Sequence, residues 1–492
     1  MNKTIYSFLV FISLSTLVSA QSGITWGMGM NVNTSATGNL RPRITTDGAG
    51  NPVIIWGKSS DESCYISLWN GTAFTTPMKV NPTSMTIAAM NWEGPEIASK
   101  GDTVYVVMKE TPEGDLTSKS YITRSVDGGM SFSAPVMLDN FPDSLSRFPT
   151  VTVDANGNPI VGYMKFNSTF GDARWVVAKS TNLGNTFSTD VKASGYSAMG
   201  ASVCDCCPGG LTCTGNNIAM MYRDNNSNIR DTWAGISTDG GSTFPSGMAL
   251  DMENWMLMMC PSSGPDGVFI GDTLYSTYMN GAGGTNKVYF SKASVSAMTN
   301  TAGTPITGTI AGLTQQNYPR IANSDNAVAV VWKQIVNGES QLLLRFSENI
   351  TNGLSAVLDT VDVSNITNTD VALANGKIYI VWEDDGSGTV KFRSGTYAVP
   401  NSISVVNENE ALTVYPNPAG DYINLDIKKI PGCYGYSILD ISGKIILKSD
   451  FKLNSTINKI NVSGLTGGTY MLQPVAYYYQ PAPIKFIVHQ NK

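Results

Sequence analysis

One pattern returns between residues 21 and 400 at intervals of 50 to 59 residues, and few folds accept such a period. Its fixed points are Pro42, Pro95, Pro149, Pro208, Pro265 and Pro319, with Thr369 in the seventh place. A short strand runs on from each. A turn of Gly, Asn and Asp follows, then an apolar strand such as Thr103–Met108 or Ala327–Trp332. Two more strands complete most units, as in Ser120–Ser125 and Ala134–Leu138. Four short strands in about 54 residues make one propeller blade, because a lone sheet of that size cannot cover its own faces. The expected fold class is all-β: a seven-bladed β-propeller over residues 21–400, with a six-bladed ring as the alternative. The seventh unit has no fourth strand after Tyr397. Ile24–Asn31 is placed to supply it, which would pair the two ends and leave no open edge.

Composition narrows the chemistry. The 492 residues include one histidine, His489, which excludes HExxH and three-His metal sites and argues against Ser-His-Asp machinery. A net charge of −6 without a basic excess argues against nucleic acid as a partner. Hydrophobic residues make up 42% of the chain, which excludes a disordered one. Past the N-terminus no stretch approaches the length of apolar sequence that a transmembrane helix needs.

Residues 1–20 read as a secretory signal peptide, with Lys3, the apolar run Ile5–Leu17 and the small residues Val18-Ser19-Ala20. The mature chain then starts at Gln21, in an oxidising environment. Residues 401–411 read as a linker and 412–492 as a small β-sandwich. This last segment carries Tyr415-Pro416-Asn417-Pro418, then Asp440-Ile441-Ser442-Gly443-Lys444, then Leu465-Thr466-Gly467-Gly468-Thr469-Tyr470. In these motifs and their order it resembles the type IX secretion C-terminal sorting domain of Bacteroidota. The resemblance implies export by the type IX machinery, then removal of the domain and release or anchoring at the outer cell surface. His489 would leave with it.

Three units carry a second signature between their third and fourth strands. It comprises Ser125, Asp127, Gly129 and Phe132; Ser180, Asn182, Gly184 and Phe187; and Ser237, Asp239, Gly241 and Phe244. This is the Asp-box of sialidase-like (BNR) propellers, with Asn in place of Asp in the middle copy. Its role is structural: the carboxylate accepts turn N–H groups, Gly allows φ > 0, and the aromatic ring fills space between strands. Sialidases bind the substrate carboxylate through three arginines and use a Tyr nucleophile and an Asp acid/base. Carried onto this chain, the resemblance implies ligand-binding roles for Arg41, Arg43, Arg223 and Arg320. Arg43-Ile44 matches two letters of that family's R-I-P motif, with Thr45 in place of proline. Asp61 is the candidate acid, and Tyr278 or Tyr318 the candidate nucleophile. Lys58 and Lys333 join Arg223 at second-strand exits, where a ring of cations would focus field on an anionic ligand.

Seven cysteines complete the reading, five of them close in sequence: Cys204, Cys206, Cys207, Cys213 and Cys260. A bridge between the 204–207 loop and Cys260 would pin two neighbouring blades, and a vicinal Cys206–Cys207 bridge is an alternative. The same loops, with Met199, Met220, Met221, Met256, Met258 and Met259 close in sequence, also suit copper or another soft metal. No cofactor is required by the main expectation, an exported propeller that binds, and hydrolyses if it is an enzyme, an acidic glycan. A Cys/Met-rich metal or redox propeller and a non-enzymatic, disulfide-stapled adhesion module are the alternatives.

Overall fold

The computed structural model describes residues 23–139, 141–398, 414–426, 433–450, 457–476 and 483–489. The expected signal peptide and the 401–411 linker lie outside them. The chain divides into two compact units, Met1–Val399 and Pro400–Lys492.

In the first unit, seven antiparallel sheets of four or five strands follow one another along the chain. The first comprises Asn39–Thr46, Pro52–Lys58, Ser63–Leu68 and Met78–Lys79. The others begin at Glu96, Ser144, Ser202, Asp266, Leu313 and Ile366. The second strand of each sheet is buried on both faces, which explains its nearly unbroken apolar run. In the second sheet, Val106 and Met108 pack toward Val53, Ile55 and Ile66 of the first. The alternate residues Tyr105 and Val107 pack toward Val161, Tyr163 and Val176 of the third. Each pair of neighbouring sheets encloses such a core. The last joins Tyr379, Val381 and Phe392 of the seventh sheet to Ile44, Ile54 and Trp56 of the first. The sheets therefore close into a β-propeller.

The N-terminal segment completes the ring. Thr25–Trp26 and Met30–Asn31 both pair antiparallel with Thr389–Thr396 of the seventh sheet. Ile24 and Val32 are buried in the cores on either side of that sheet.

The three turns expected as Asp-boxes share one hydrogen-bond pattern. In the first, Ser125 Oγ accepts from Gly129 N at 2.8 Å, and Asp127 Oδ1 accepts from Ser131 N at 2.9 Å. Asn182 serves as well as aspartate because its Oδ1 accepts from Thr186 N at 2.9 Å. Its amide then donates to Thr186 Oγ1, reversing the hydroxyl's role relative to the Asp copies. Gly129 and Gly241 sit at φ 99° and 86°, and a Cβ on either would lie 2.9 Å from an isoleucine Cδ1. Asp154 and its neighbours form the same kind of local turn, with Asp154 Oδ1 accepting from Asn156 N and Asn158 N.

The second unit is a β-sandwich. One sheet holds Val414–Tyr415, Tyr422–Asp426 and Ile457–Asn461. The other holds Ile445–Asp450, Cys433–Leu439, Gly468–Ala476 and Ile484–Val488. Between them lies a core that includes Ile423, Leu425, Ile438, Ile460, Leu472 and Phe486.

Candidate functional site

Strand registers bring two sets of loops to one end of the propeller. Asn39 at the start of its sheet pairs with Lys58 at the end of the second strand, and Ile366 pairs with Asp384 in the same way. The Asp-box turns lie at the other end: Ser125 pairs with Val104, and Gly128 N donates to Asp102 O.

At the loop end, most inner strands carry a β-bulge at the repeat proline. Registers shift between Leu40 and Arg43, Arg147 and Thr150, Asn317 and Arg320, and Thr367 and Thr369. The residue before the proline, or before Thr369, takes a left-handed conformation: Arg41 at φ 49°, Phe148 at 51°, Tyr318 at 52° and Asn368 at 47°. This conformation costs roughly 1–2 kcal/mol for a residue with a Cβ. It turns these side chains toward the axis, where Arg41, Tyr318 and Asn368 line one cavity.

The residue after the proline completes the arrangement. Glu96 accepts from Arg41 Nη2 and Arg43 Nε, each at 2.9 Å, and its Oε2 lies 3.4 Å from Arg320 Nη2. Arg320 Nε is 3.0 Å from Asp370 Oδ1 and 3.3 Å from Asp266 Oδ2. Three guanidinium groups thus face three carboxylates. Asp370 and Asp266 also accept from Ile44 N and Ile321 N, each at 3.0 Å, fastening each of these sheets to the next. Burial alone would raise the Glu96 pKa, but Arg43, Arg320 and Arg41 outweigh it and hold it at about 2. Burial raises the Asp266 carboxyl despite Arg320. A cavity of ≈ 30 Å³ opens beside this network, lined by Arg41, Arg43, Tyr318, Arg320, Asn368 and the loops around Pro208 and Ser263. That volume admits water or one small polar group. Arg41 Nε is buried there without a hydrogen-bond partner.

Of the predicted ligand-binding and catalytic residues, the structure brings Arg41, Arg43, Arg320 and Tyr318 together and places Tyr278, Arg223, Asp61, Lys58 and Lys333 elsewhere. Tyr278 is fully buried between two sheets, donates to Leu250 O at 2.9 Å and stacks on Tyr289. Arg223 is also fully buried, donating to the carbonyls of Arg230 and Met279 over the Trp255 ring. Asp61 is exposed and accepts from Tyr65 OH, and Lys58 sits over the same Tyr65 ring. Lys333 is buried, with Asp385 and Glu383 nearby. The cations of the strand exits are therefore spent on local partners instead of forming an open ring. Glu96, Asp266 and Asp370 were missed. Their signal was in the repeat: each stands one place after the recurring Pro or Thr369, where Arg43 and Arg320 also stand.

Two further carboxylates hold the bulges. Glu383 Oε2 accepts from Arg41 N at 3.0 Å, and Glu93 Oε1 accepts from Phe148 N at 2.8 Å. Burial, then the neighbouring Glu113 carboxylate, pushes Glu93 up to about 8, and its Oε2 has no partner. A carboxyl raised this way binds its proton more tightly in the folded state. Its contribution is full below the unfolded value of about 4.5 and is lost as pH rises to about 8. Glu93→Gln keeps the acceptor and removes the charge. It therefore raises the unfolding midpoint above about pH 8 and leaves it unchanged near pH 4, as urea titrations at the two pH values will show.

The cysteines form a separate cluster in the neighbouring loops. Cys206 and Cys260 are bridged, which ties the loop before Gly210 to the loop before Asp266. Cys207 is not in a vicinal bridge with Cys206. It is a buried thiol 3.4 Å from Cys204 Sγ, which lies 3.4 Å from Cys206 Sγ as well. Cys213 lies apart, near Thr152 and Val153 O. The sulfurs of Cys204, Cys206 and Cys207 are within 4.8 Å of one another, a spacing a metal ion could use. The surroundings do not fit one: Cys206 is already bonded, and Arg230 Nη1 donates to Cys204 Sγ at 2.9 Å. A soft cation would face that guanidinium.

Comparison with known proteins bears first on the second unit. Residues 413–478 match the family described as secretion system C-terminal sorting domain. The C-terminal unit is a type IX sorting domain. The protein is accordingly exported to the cell surface or beyond, and among the described residues no helix is long and apolar enough to cross a membrane. In the sorting domain, Asn417 Oδ1 accepts from Ile487 N, Asp440 Oδ1 caps the turn through Ser442 N and Lys444 N, and Tyr470 OH donates to Thr466 O. These bonds account for three of the motif positions. No curated protein matches the chain. Among solved structures it is similar to an α-L-arabinofuranosidase of Fusarium graminearum, at 12% identity, TM-score 0.45, covering 76% of this chain and 98% of that one. A Hadza microbial sialidase gives 12%, 0.44, 75% and 68%. An ulvan lyase gives 12%, 0.48, 73% and 94%.

Proposed function

We propose that the propeller is the carbohydrate-binding part of an exported protein, taking a carboxylated sugar with its carboxylate over the axial cavity. The observation that carries this reading is the convergence of Arg41, Arg43 and Arg320 on a cavity sized for one small group, with Arg41 Nε unpartnered. Tyr318 and Asn368 add hydrogen-bonding groups at the same cavity. Binding is favoured over hydrolysis because the other catalytic candidates, Asp61 and Tyr278, are engaged away from it.

The charge balance sets the pH dependence. With Glu96, Asp266 and Asp370 all ionised, the three arginines have no surplus charge for an anion. Protonating Asp266, the carboxyl that burial raises, leaves Arg320 one counter-charge short. Affinity for a carboxylated sugar therefore rises as pH falls toward the Asp266 pKa, while the arginines stay charged. Calorimetry with glucuronate- or sialate-terminated oligosaccharides tests this, and Tyr318→Ala and Asn368→Ala should each weaken binding about tenfold, the second also lowering thermal stability because the Asn368 amide donates to Asn91 O and Glu383 Oε2. Equal binding of neutral sugars would remove the carboxylate from the proposal. No binding of either kind would remove the proposal itself.

A further inference from the structure

We propose that Cys204, Cys206 and Cys260 form an internal thiol–disulfide exchange site that can release the tie between two axial loops. Three observations carry it. Cys204 Sγ lies 3.4 Å from Cys206 Sγ, one half of the bridge to Cys260. Arg230 Nη1 donates to Cys204 Sγ at 2.9 Å, which favours the thiolate, the form that attacks disulfides. Cys260 is exposed, and Ser262 Oγ donates to its sulfur at 3.6 Å, so a thiolate leaving there is stabilised. The Cys207 thiol contacts Cys204 from another side at 3.4 Å, and its Sγ is buried with it.

The step balances without a co-reactant. Cys204 loses its proton to solvent, and its thiolate attacks Cys206 Sγ. The Cys204–Cys206 bond forms as the Cys206–Cys260 bond breaks. The electron pair departs on Cys260, which takes a proton from water, so no net oxidation occurs. The product carries a free thiol at the surface. It also unties the loop holding Pro208 and Gly209 from the one holding Ser262 to Pro265, and both loops line the axial cavity. The exchange is thus positioned to loosen one wall of that cavity, and the exposed Cys260 thiol becomes available to an external disulfide or alkylating agent.

Peptide mapping of the whole mature protein, purified without reductant and held with N-ethylmaleimide before digestion, tests this. The expected map pairs Cys204 with Cys206 and carries the label on Cys260. Cys204→Ser should slow labelling of Cys260 at least about tenfold, while Cys207→Ser, which keeps all three reacting sulfurs, should still be labelled. Wild-type protein with Cys260 unlabelled overturns the proposal. So does equal labelling in Cys204→Ser, a Cys204–Cys207 bridge, or a metal ion recovered with the cluster. The wild-type map decides even if a variant fails to fold.

Discussion

Glu96→Gln lowers the unfolding free energy by about 3–5 kcal/mol, the cost of removing one partner from a buried ion network. Glu96 is the only carboxylate among the described residues that bonds Arg41, Arg43 and Arg320 together. Its loss leaves Arg41 and Arg43, each 4% exposed, without a counter-ion. The amide would also present a donor to guanidinium groups that are donors themselves. The pH dependence gives a second check. Glu96 is depressed to about 2 in the folded state, so its contribution is present above the unfolded value of 4.5 and is lost as pH falls toward 2. Wild-type stability should therefore fall steeply across that window, and the variant more gently. Guanidinium titrations at several acidic pH values measure both slopes. Parallel slopes would show that Glu96 does not carry the network.

The second large effect is at the seam of the ring. A chain truncated to begin at Asn39 lacks the two short strands that pair with Thr389–Thr396. It loses burial of Ile24 and Val32 and the packing of Trp26, a deficit of about 4–8 kcal/mol by the area such side chains cover. It also exposes the backbone donors and acceptors of residues 389–396 as an open edge. The truncated protein should melt well below the full chain and self-associate in size-exclusion chromatography. A synthetic peptide spanning residues 23–34 should restore the midpoint. An unchanged midpoint without the peptide would mean that the seam contributes little.

The propeller was legible because its period is written in residues with backbone consequences. The recurring prolines mark a bulge, and the Asp-box glycines sit where φ is positive. The closing role of Ile24–Asn31 followed from a missing strand. The site was only half legible. Arg41, Arg43 and Arg320 were named through the sialidase resemblance, and a resemblance does not say what a charge faces in this chain. Their partners Glu96, Asp266 and Asp370 come from three other units and meet them only once the ring is closed. Arg223 and Tyr278 show the same limit from the other side. A polar residue ending an apolar strand looks like a site, yet the carbonyls that hold it belong to a neighbouring strand, for Arg223, and a neighbouring loop, for Tyr278.

The seam also sets a clock. Thr25 pairs with Thr396, so Thr25 waits for a partner synthesised 371 residues later. At ribosomal elongation speeds that interval is roughly 20–70 s. Until it ends, the first sheet has no neighbour on one flank and the nascent chain offers unpaired strands to any holdase or translocase that meets it. A protein bound for export gains from such lateness: a ring that cannot shut early stays threadable.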